Sequence, residues 1–327
     1  MINFRYHLAS LIAVFLALGL GIVAGSTFVS PETVRALNNS LRRIDNSNRD
    51  LQTQNDALSQ TNRDLLRYAE ASRNLLVLGK LAGKPVVLVS FDTTPGSETS
   101  QMATTLVAAG AKLQGTLTLS SNLALADDAS RGQAATVVGG GLSGTEALQA
   151  ALARQVSDAL AGKAPGVLQR LIDAGLASRG PGVAGDAQQP PATLATPGTA
   201  VIFLAPAPAQ PAPGAKPGPD LARTIILPVI RALSSAQAPV AVGEGGSSPL
   251  PLLAQIRQDS SLRVVTVDTV DQPMGQAAVV LGLAEALTAN AWGAYGSGPG
   301  ASAPLPTPPA PASPTPSPSL SASLSRK

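Results

Sequence analysis

Cysteine is absent from the 327 residues, and histidine occurs once, at His7. The first absence excludes disulfides, thiolate metal sites and a cysteine nucleophile, and it leaves the redox compartment open. The second excludes a Ser-His-Asp triad and histidine-based zinc sites from everything beyond the N-terminal segment. Aromatic residues make up only 3% and charged residues 13% of the chain, and the formal net charge is +3 with the basic residues scattered. Neither the stacking platform nor the basic stripe that nucleic acids require is present. Soft donors for a metal such as copper come down to Met102 and Met274, since Met1 initiates the chain, and both read as core residues. No metal or cofactor site is expected.

What is present begins with an apolar run. Residues 8–29 read LASLIAVFLALGLGIVAGSTFV, without a charged side chain. About 20 such residues span a hydrocarbon core of about 30 Å at 1.5 Å per residue. A cleavable signal sequence has a shorter apolar region of about 7–15 residues. Ala24-Gly25-Ser26 mimics a cleavage site, so that alternative stays open. Arg5 and the terminal amine precede the run, which favours a single pass with the N-terminus cytoplasmic and the rest extracytoplasmic. Within the run Ala9, Ala13, Ala17, Gly21 and Gly25 recur every fourth residue. Small residues at that spacing allow two membrane helices to approach closely.

Pro31 opens a second helix, with Ser30 as the expected N-cap. A heptad pattern follows, with Val34, Leu41, Asn48, Asn55, Asn62, Ala69 and Leu76 at the a positions and Leu37, Ile44, Leu51, Leu58, Leu65 and Ser72 at the d positions. Leucine or isoleucine at five successive d positions predicts a coiled coil. Asn48, Asn55 and Asn62 give its seam a polar stretch that trades stability for register and partner choice. The flanking e and g positions are mostly uncharged polar residues, so the expected assembly is a weak parallel homodimer or a coil completed by another envelope protein. One amphipathic helix packed on the following domain is the other reading of the same period. Gly79 is expected to end the helix, and Gly83 and Pro85 mark the boundary.

Beyond it, strand-like segments at 86–91, 111–119, 199–204, 239–242 and 262–267 alternate with helical ones at 99–109, 221–233, 250–257 and 274–291. Two further helices are expected at 145–161 and 166–177, with Pro/Gly-rich loops over 178–198 and 205–219. Short, continuously apolar strands between helices predict an α/β domain with a parallel sheet covered on both faces. From Gly296 the chain is Ser, Pro and Ala, a composition that cannot build a core. The expected organisation is a membrane anchor over 1–30, a coiled coil over 31–79, an extracytoplasmic α/β domain over 80–295 and a disordered tail over 296–327.

Two features resemble chemistry. Gly139-x-Gly141-x-x-Gly144 follows the apolar run Thr136-Val137-Val138, as a dinucleotide fingerprint follows a strand, yet no acidic residue stands about 20 positions on. A turn before a helix accounts for the same glycines. Asp92, Glu244 and Asp268 all fall at strand ends, the edge where ligands bind in such folds, and they form a possible ligand edge. Solvated loop carboxylates are the plainer reading, and no enzymatic activity is expected.

The opening MINFRYHLASLIAVFLALGLGIVAGS, the coil, the GKPVVLVSFD strand and the closing VDTVDQPMGQAAVVLGLAEAL and WGAYG stand in one order over residues 1–296. In that order they resemble the actinobacterial copper-transport outer-membrane proteins, the family of mycobacterial copper transport protein B. The resemblance implies copper efflux or tolerance and a pore in an outer membrane. It also implies a coiled-coil partner in cell-wall remodelling. The residues themselves describe no β-barrel, which needs many alternating strands of about 10 residues.

Overall fold

A computed structural model describes residues 4–27, 31–142, 144–180, 194–205, 220–245 and 251–307. The chain divides into two compact units, residues 1–65 and 66–327.

The first unit holds helix α1 (Phe4–Thr27) and most of helix α2 (Pro31–Val77). Phe4–Gly25 is the one helical stretch among the described residues long and apolar enough to cross a membrane. Its 22 residues rise about 33 Å at 1.5 Å each. Gly21 and Gly25 leave open space where a Cβ would stand. The last expected residues of the span, Phe28 and Val29, and the expected cap Ser30 lie outside the described residues. α2 is one uninterrupted helix of 47 residues.

The second unit is built on a seven-stranded sheet in the order β3-β2-β1-β4-β5-β6-β7. The strands are β1 (Pro85–Phe91), β2 (Lys112–Leu119), β3 (Ala177–Arg179), β4 (Ala200–Leu204), β5 (Val240–Glu244), β6 (Val265–Asp268) and β7 (Ala294–Tyr295). All neighbours pair in parallel except β3, which lies antiparallel on the edge of β2. Alternate residues of each strand face opposite layers. Val87, Val89, Phe91, Val201, Phe203, Val240 and Val242 pack on helices α5 (Thr145–Leu160), α6 (Pro165–Asp173), α7 (Leu227–Ser235) and α8 (Pro251–Gln258). Val86, Leu88, Ile202, Ala241, Val265 and Val267 pack on α3 (Gly96–Ala108) and α9 (Pro273–Ala289). Burial of both faces is the physical reason the strands read as unbroken apolar runs. The parallel α/β expectation therefore holds.

Several boundaries differ. Thr136-Val137-Val138 is not a strand but the end of helix α4 (Asp128–Val138). A capping box between Asp127 and Ser130 starts that helix, and Gly139 ends it at φ 84°. The expected helix 166–177 stops at Asp173, because Gly175 turns the chain at φ 72° and returns it as β3. The segment around Pro228 opens with a π turn at Ala222–Ile226. Proline offers no N–H to the carbonyl of Thr224, and the wider turn accommodates that missing bond. The tail expected from Gly296 begins later. Gly296 N donates to Ala303 O at 2.9 Å, Ser302 N donates to Ala294 O at 2.7 Å, and Ala303 and Leu305 pack on the second core layer. The part of the tail from residue 308 onward lies outside the described residues, as do 181–193, 206–219 and 246–250 of the expected loops.

The last turns of α2 belong to this second unit. Val77 and Leu81 are fully buried in the layer shared with α3 and α9. Beside them the buried Arg73 donates from Nη1 to Gln276 Oε1 at 2.8 Å. Gln276 also accepts from Thr105 Oγ1 at 3.1 Å and donates to Gln101 Oε1 at 3.1 Å. A guanidinium removed from water needs those partners, and one left unpaired costs more than an apolar pair of the same shape. Gln276→Leu is expected to destabilise the sheet domain by about 2 kcal/mol, seen as a lower urea midpoint with an unchanged slope. Adding Arg73→Met should recover most of that loss, and independent losses in the two single variants would contradict the coupling.

Candidate functional site

The first candidate is the face of α2 that runs through the first unit. Leu37, Leu41, Ile44, Leu51, Leu58 and Leu65 are all exposed, and Asn48, Asn55 and Asn62 lie exposed on the same stripe. The polar back of the helix is better satisfied. Arg63 donates to Gln60, and Gln60 donates to both carboxylate oxygens of Asp64 at 3.2 and 3.1 Å. Among the described residues of its unit, nothing covers this row of apolar side chains. The membrane-face residues Ala13, Ala17, Gly21 and Gly25 are likewise exposed along α1.

The second candidate is the carboxyl edge of the sheet. Sequence reasoning placed Asp92, Glu244 and Asp268 there, and the structure brings only two of them together. Glu244 and Asp268 face each other across the β5–β6 pair. Asp92 belongs elsewhere: it accepts from Ser121 N and Ser121 Oγ, both at 2.8 Å, beyond the end of β2, and so fixes the turn after that strand.

Asp268 is fully buried against Arg257, at 3.0 Å. Sequence reasoning missed Arg257, whose only signal was its place in the last turn of α8. Its guanidinium also donates to Thr266 Oγ1, to Tyr295 O and to Pro299 O. Asp268 Oδ1 accepts from Ser297 N at 2.6 Å. Gly296 carries φ 123°, and a Cβ there would stand 2.0 Å from Asp268 Oδ1. These contacts bind the segment after β7 over the strand ends. At β6 the edge is a closed staple and not an open ligand position.

Glu244 is 3% exposed. Its Oε1 accepts from Leu252 N at 3.2 Å and Leu253 N at 3.4 Å, in the first turn of α8, while Oε2 has no hydrogen-bond partner among the described residues. Burial pushes this carboxyl up to about 7, against the pull of the two backbone donors and Arg257, with Asp268 adding to the rise. Glu98, at the start of α3, is also raised, first by burial and then by the charge of Asp271. The described residues hold no group of three or more His, Asp or Glu side chains placed to bind a metal ion.

Met102 is fully buried in the apolar layer, Met274 is half-buried outside it, and His7 lies on α1. That donor set does not fit a copper ion. The glycines 139, 141 and 144 join the end of α4 to the start of α5, with positive φ at all three. Without a preceding strand they lack the context of a dinucleotide loop.

The linkage at Glu244 has a definite sign. Its folded value lies above the ordinary 4.5, so the native state holds the extra proton between about pH 4.5 and pH 7. Its contribution is fully present below that window and is lost as pH rises through it, by roughly 3 kcal/mol. Glu244→Gln keeps the Oε1 acceptor and should flatten the stability profile across that window, measured as urea midpoint against pH. An unchanged slope would mean that Glu244 does not titrate there.

No curated protein matches the chain. The family described as copper transport outer membrane protein, MctB, matches residues 1–306. The match runs from the membrane helix through the docked segment after β7 and stops next to the last described residue. An apolar anchor, a long helix with an uncovered seam and a doubly covered parallel sheet thus lie within one continuous family match, and the chain belongs to the MctB copper transport outer membrane protein family.

Proposed function

We propose that the chain is a non-enzymatic, single-pass envelope protein that works by holding a partner along α2, and that the partner is a second copy in parallel register. The observation that carries this reading is the uncovered a/d row from Val34 to Leu65, with asparagine at three successive a positions. A carboxamide offers both a donor and an acceptor, so an identical asparagine at the same height satisfies it. An apolar side chain opposite would leave each amide unpaired at a cost of about 1–3 kcal/mol. A parallel, in-register copy is the arrangement in which all three layers are satisfied together.

The orientation that suits this reading has the N-terminus cytoplasmic and the sheet domain outside, as Arg5 before the apolar run favours. The alanine and glycine ladder on α1 supports the same pairing within the membrane. A role in remodelling of the cell wall fits a tethered docking protein of this kind.

The family description favours a second reading, in which the protein moves copper across an envelope membrane. The donor set speaks against a tight copper site in the described residues, so under this reading an assembly would have to provide the path. A copper titration of the purified full chain separates the two. Binding at micromolar or tighter affinity supports the second reading, and its absence with an intact dimer supports the first.

Leu51→Asp with Leu58→Asp is expected to weaken dimerisation of the detergent-solubilised chain by at least about 100-fold in sedimentation equilibrium, by placing like charges in the seam. Replacing Asn48, Asn55 and Asn62 by leucine should instead tighten association and broaden its register. A full chain that stays monomeric at every accessible concentration would defeat the self-association reading.

A further inference from the structure

The g positions of α2 are polar over four heptads, at Ser40, Ser47, Gln54 and Thr61, and then become Tyr68 and Leu75. These two are 74% and 79% exposed, among the most exposed large apolar side chains in the protein. In the same two heptads the a and d positions carry Ala69, Ser72 and Leu76, and Ala69 and Ser72 are half-buried. The helix here already has one neighbour, since Arg73 and Val77 are buried against the sheet domain. At about 100° per residue, Tyr68 and Leu75 lie roughly 140–180° round the helix from Arg73 and Val77. Ala69 and Leu76 lie within about 100° of both. The domain therefore crowds the a side of the helix and leaves the g side free.

From this placement we infer that a second copy of the chain docks on the base of α2 through Leu65, Tyr68, Ser72 and Leu75, its seam stepping from the a and d positions to the d and g positions at Leu65. The inference rests on the self-association reading above and adds the path of the interface. Leu65, Tyr68, Ser72 and Leu75 follow one another at 3-4-3 spacing, which is the spacing of a coiled-coil seam. The step itself needs one local shortening, where Asn62, Leu65 and Tyr68 stand three residues apart twice in succession. Such an interruption overwinds a coiled coil locally and moves its apolar seam to a neighbouring face. A second copy is the occupant because the stripe continues the spacing of the row whose asparagines match only themselves. It also begins at the heptad where the chain's own domain takes the opposite side.

The absence of native cysteine makes the test clean. Single cysteines are placed in the full chain at Leu51, Leu58, Tyr68, Ala69, Leu75 and Leu76, and membranes holding each variant are oxidised. A disulfide needs Cβ atoms about 3.5–4.5 Å apart, so dimer yield at Tyr68→Cys and Leu75→Cys should exceed that at Ala69→Cys and Leu76→Cys by at least about fivefold. Leu51→Cys and Leu58→Cys should also link. Dominant linking at Ala69→Cys and Leu76→Cys would overturn the step while leaving self-association intact. Linking nowhere, including Leu51→Cys and Leu58→Cys, would remove self-association and the step with it. Linking of Tyr68→Cys and Leu75→Cys to a polypeptide of another mass would overturn the second copy as occupant. The exposed pair Tyr68→Asp with Leu75→Asp should leave the thermal transition of the domain unchanged and lower the dimer fraction about tenfold by like-charge apposition. An unchanged dimer fraction would count against the step.

Discussion

A helix cannot bury its own stripe of leucines, and α2 carries such a stripe from Val34 to Leu65 with nothing among the described residues of its unit to cover it. Isolated helical stability in water is marginal, and a long helix persists chiefly because an apolar face is buried against something. Along the base of α2 that something is the chain's own domain, through Arg73 and Val77, with Leu81 buried just after the helix. Further toward the N-terminus the helix continues without such support while its seam residues keep their heptad order. Under the proposed reading an external helix covers those residues, and the three asparagines restrict which helix can serve.

At the edge where folds of this type hold ligands, the sheet is closed by its own side chains. At the carboxyl ends of β5 and β6 the strands end in acidic residues, yet the charges are consumed internally. Arg257 neutralises Asp268, and the segment after β7 lies over both through Ser297 N, Tyr295 O and Pro299 O. Glu244 caps the first turn of α8, where its Oε1 meets two backbone donors. A buried carboxyl with only half its acceptors used favours its neutral form, which is what burial does to its proton affinity. These residues hold secondary structure elements together; they do not gather the soft donors that copper would need.

The parallel sheet was legible because strands buried on both faces must be apolar at every position, as Val86-Val87-Leu88-Val89 is. Helices α5, with one apolar face, and α9, apolar on nearly every side, were legible for the same reason of burial. What was not legible depended on single residues with long-range partners. Thr136-Val137-Val138 is as apolar as a strand, and only the capping box ten residues earlier marks it as the end of α4. β3 is three residues long and exists because Gly175 turns the chain toward the free edge of β2. The grouping of Asp92 with Glu244 failed because strand-end position says nothing of strand order: β4 lies between β1 and β5. Residues 296–303 read as tail by composition, but Gly296 fits against Asp268 where any side chain would collide, and that fit has no local signature.

Weak self-association, as proposed, would suit a protein anchored beside its own copies. Confining two chains to one membrane raises their effective concentration, so avidity arises without further contact. Under that condition strength is the less valuable property of a seam and selectivity the more valuable one. In the proposed coil three asparagines would lower the affinity for any partner, but least for one that presents asparagine at the same heights. A fully apolar seam would hold more tightly and would also accept shifted registers and foreign helices. α2 itself runs without a break to the turns in which Arg73 is clamped to Gln276. That clamp holds the base of α2 against α3 and α9, and Tyr68 and Leu75 stand exposed on the other side of the same turns.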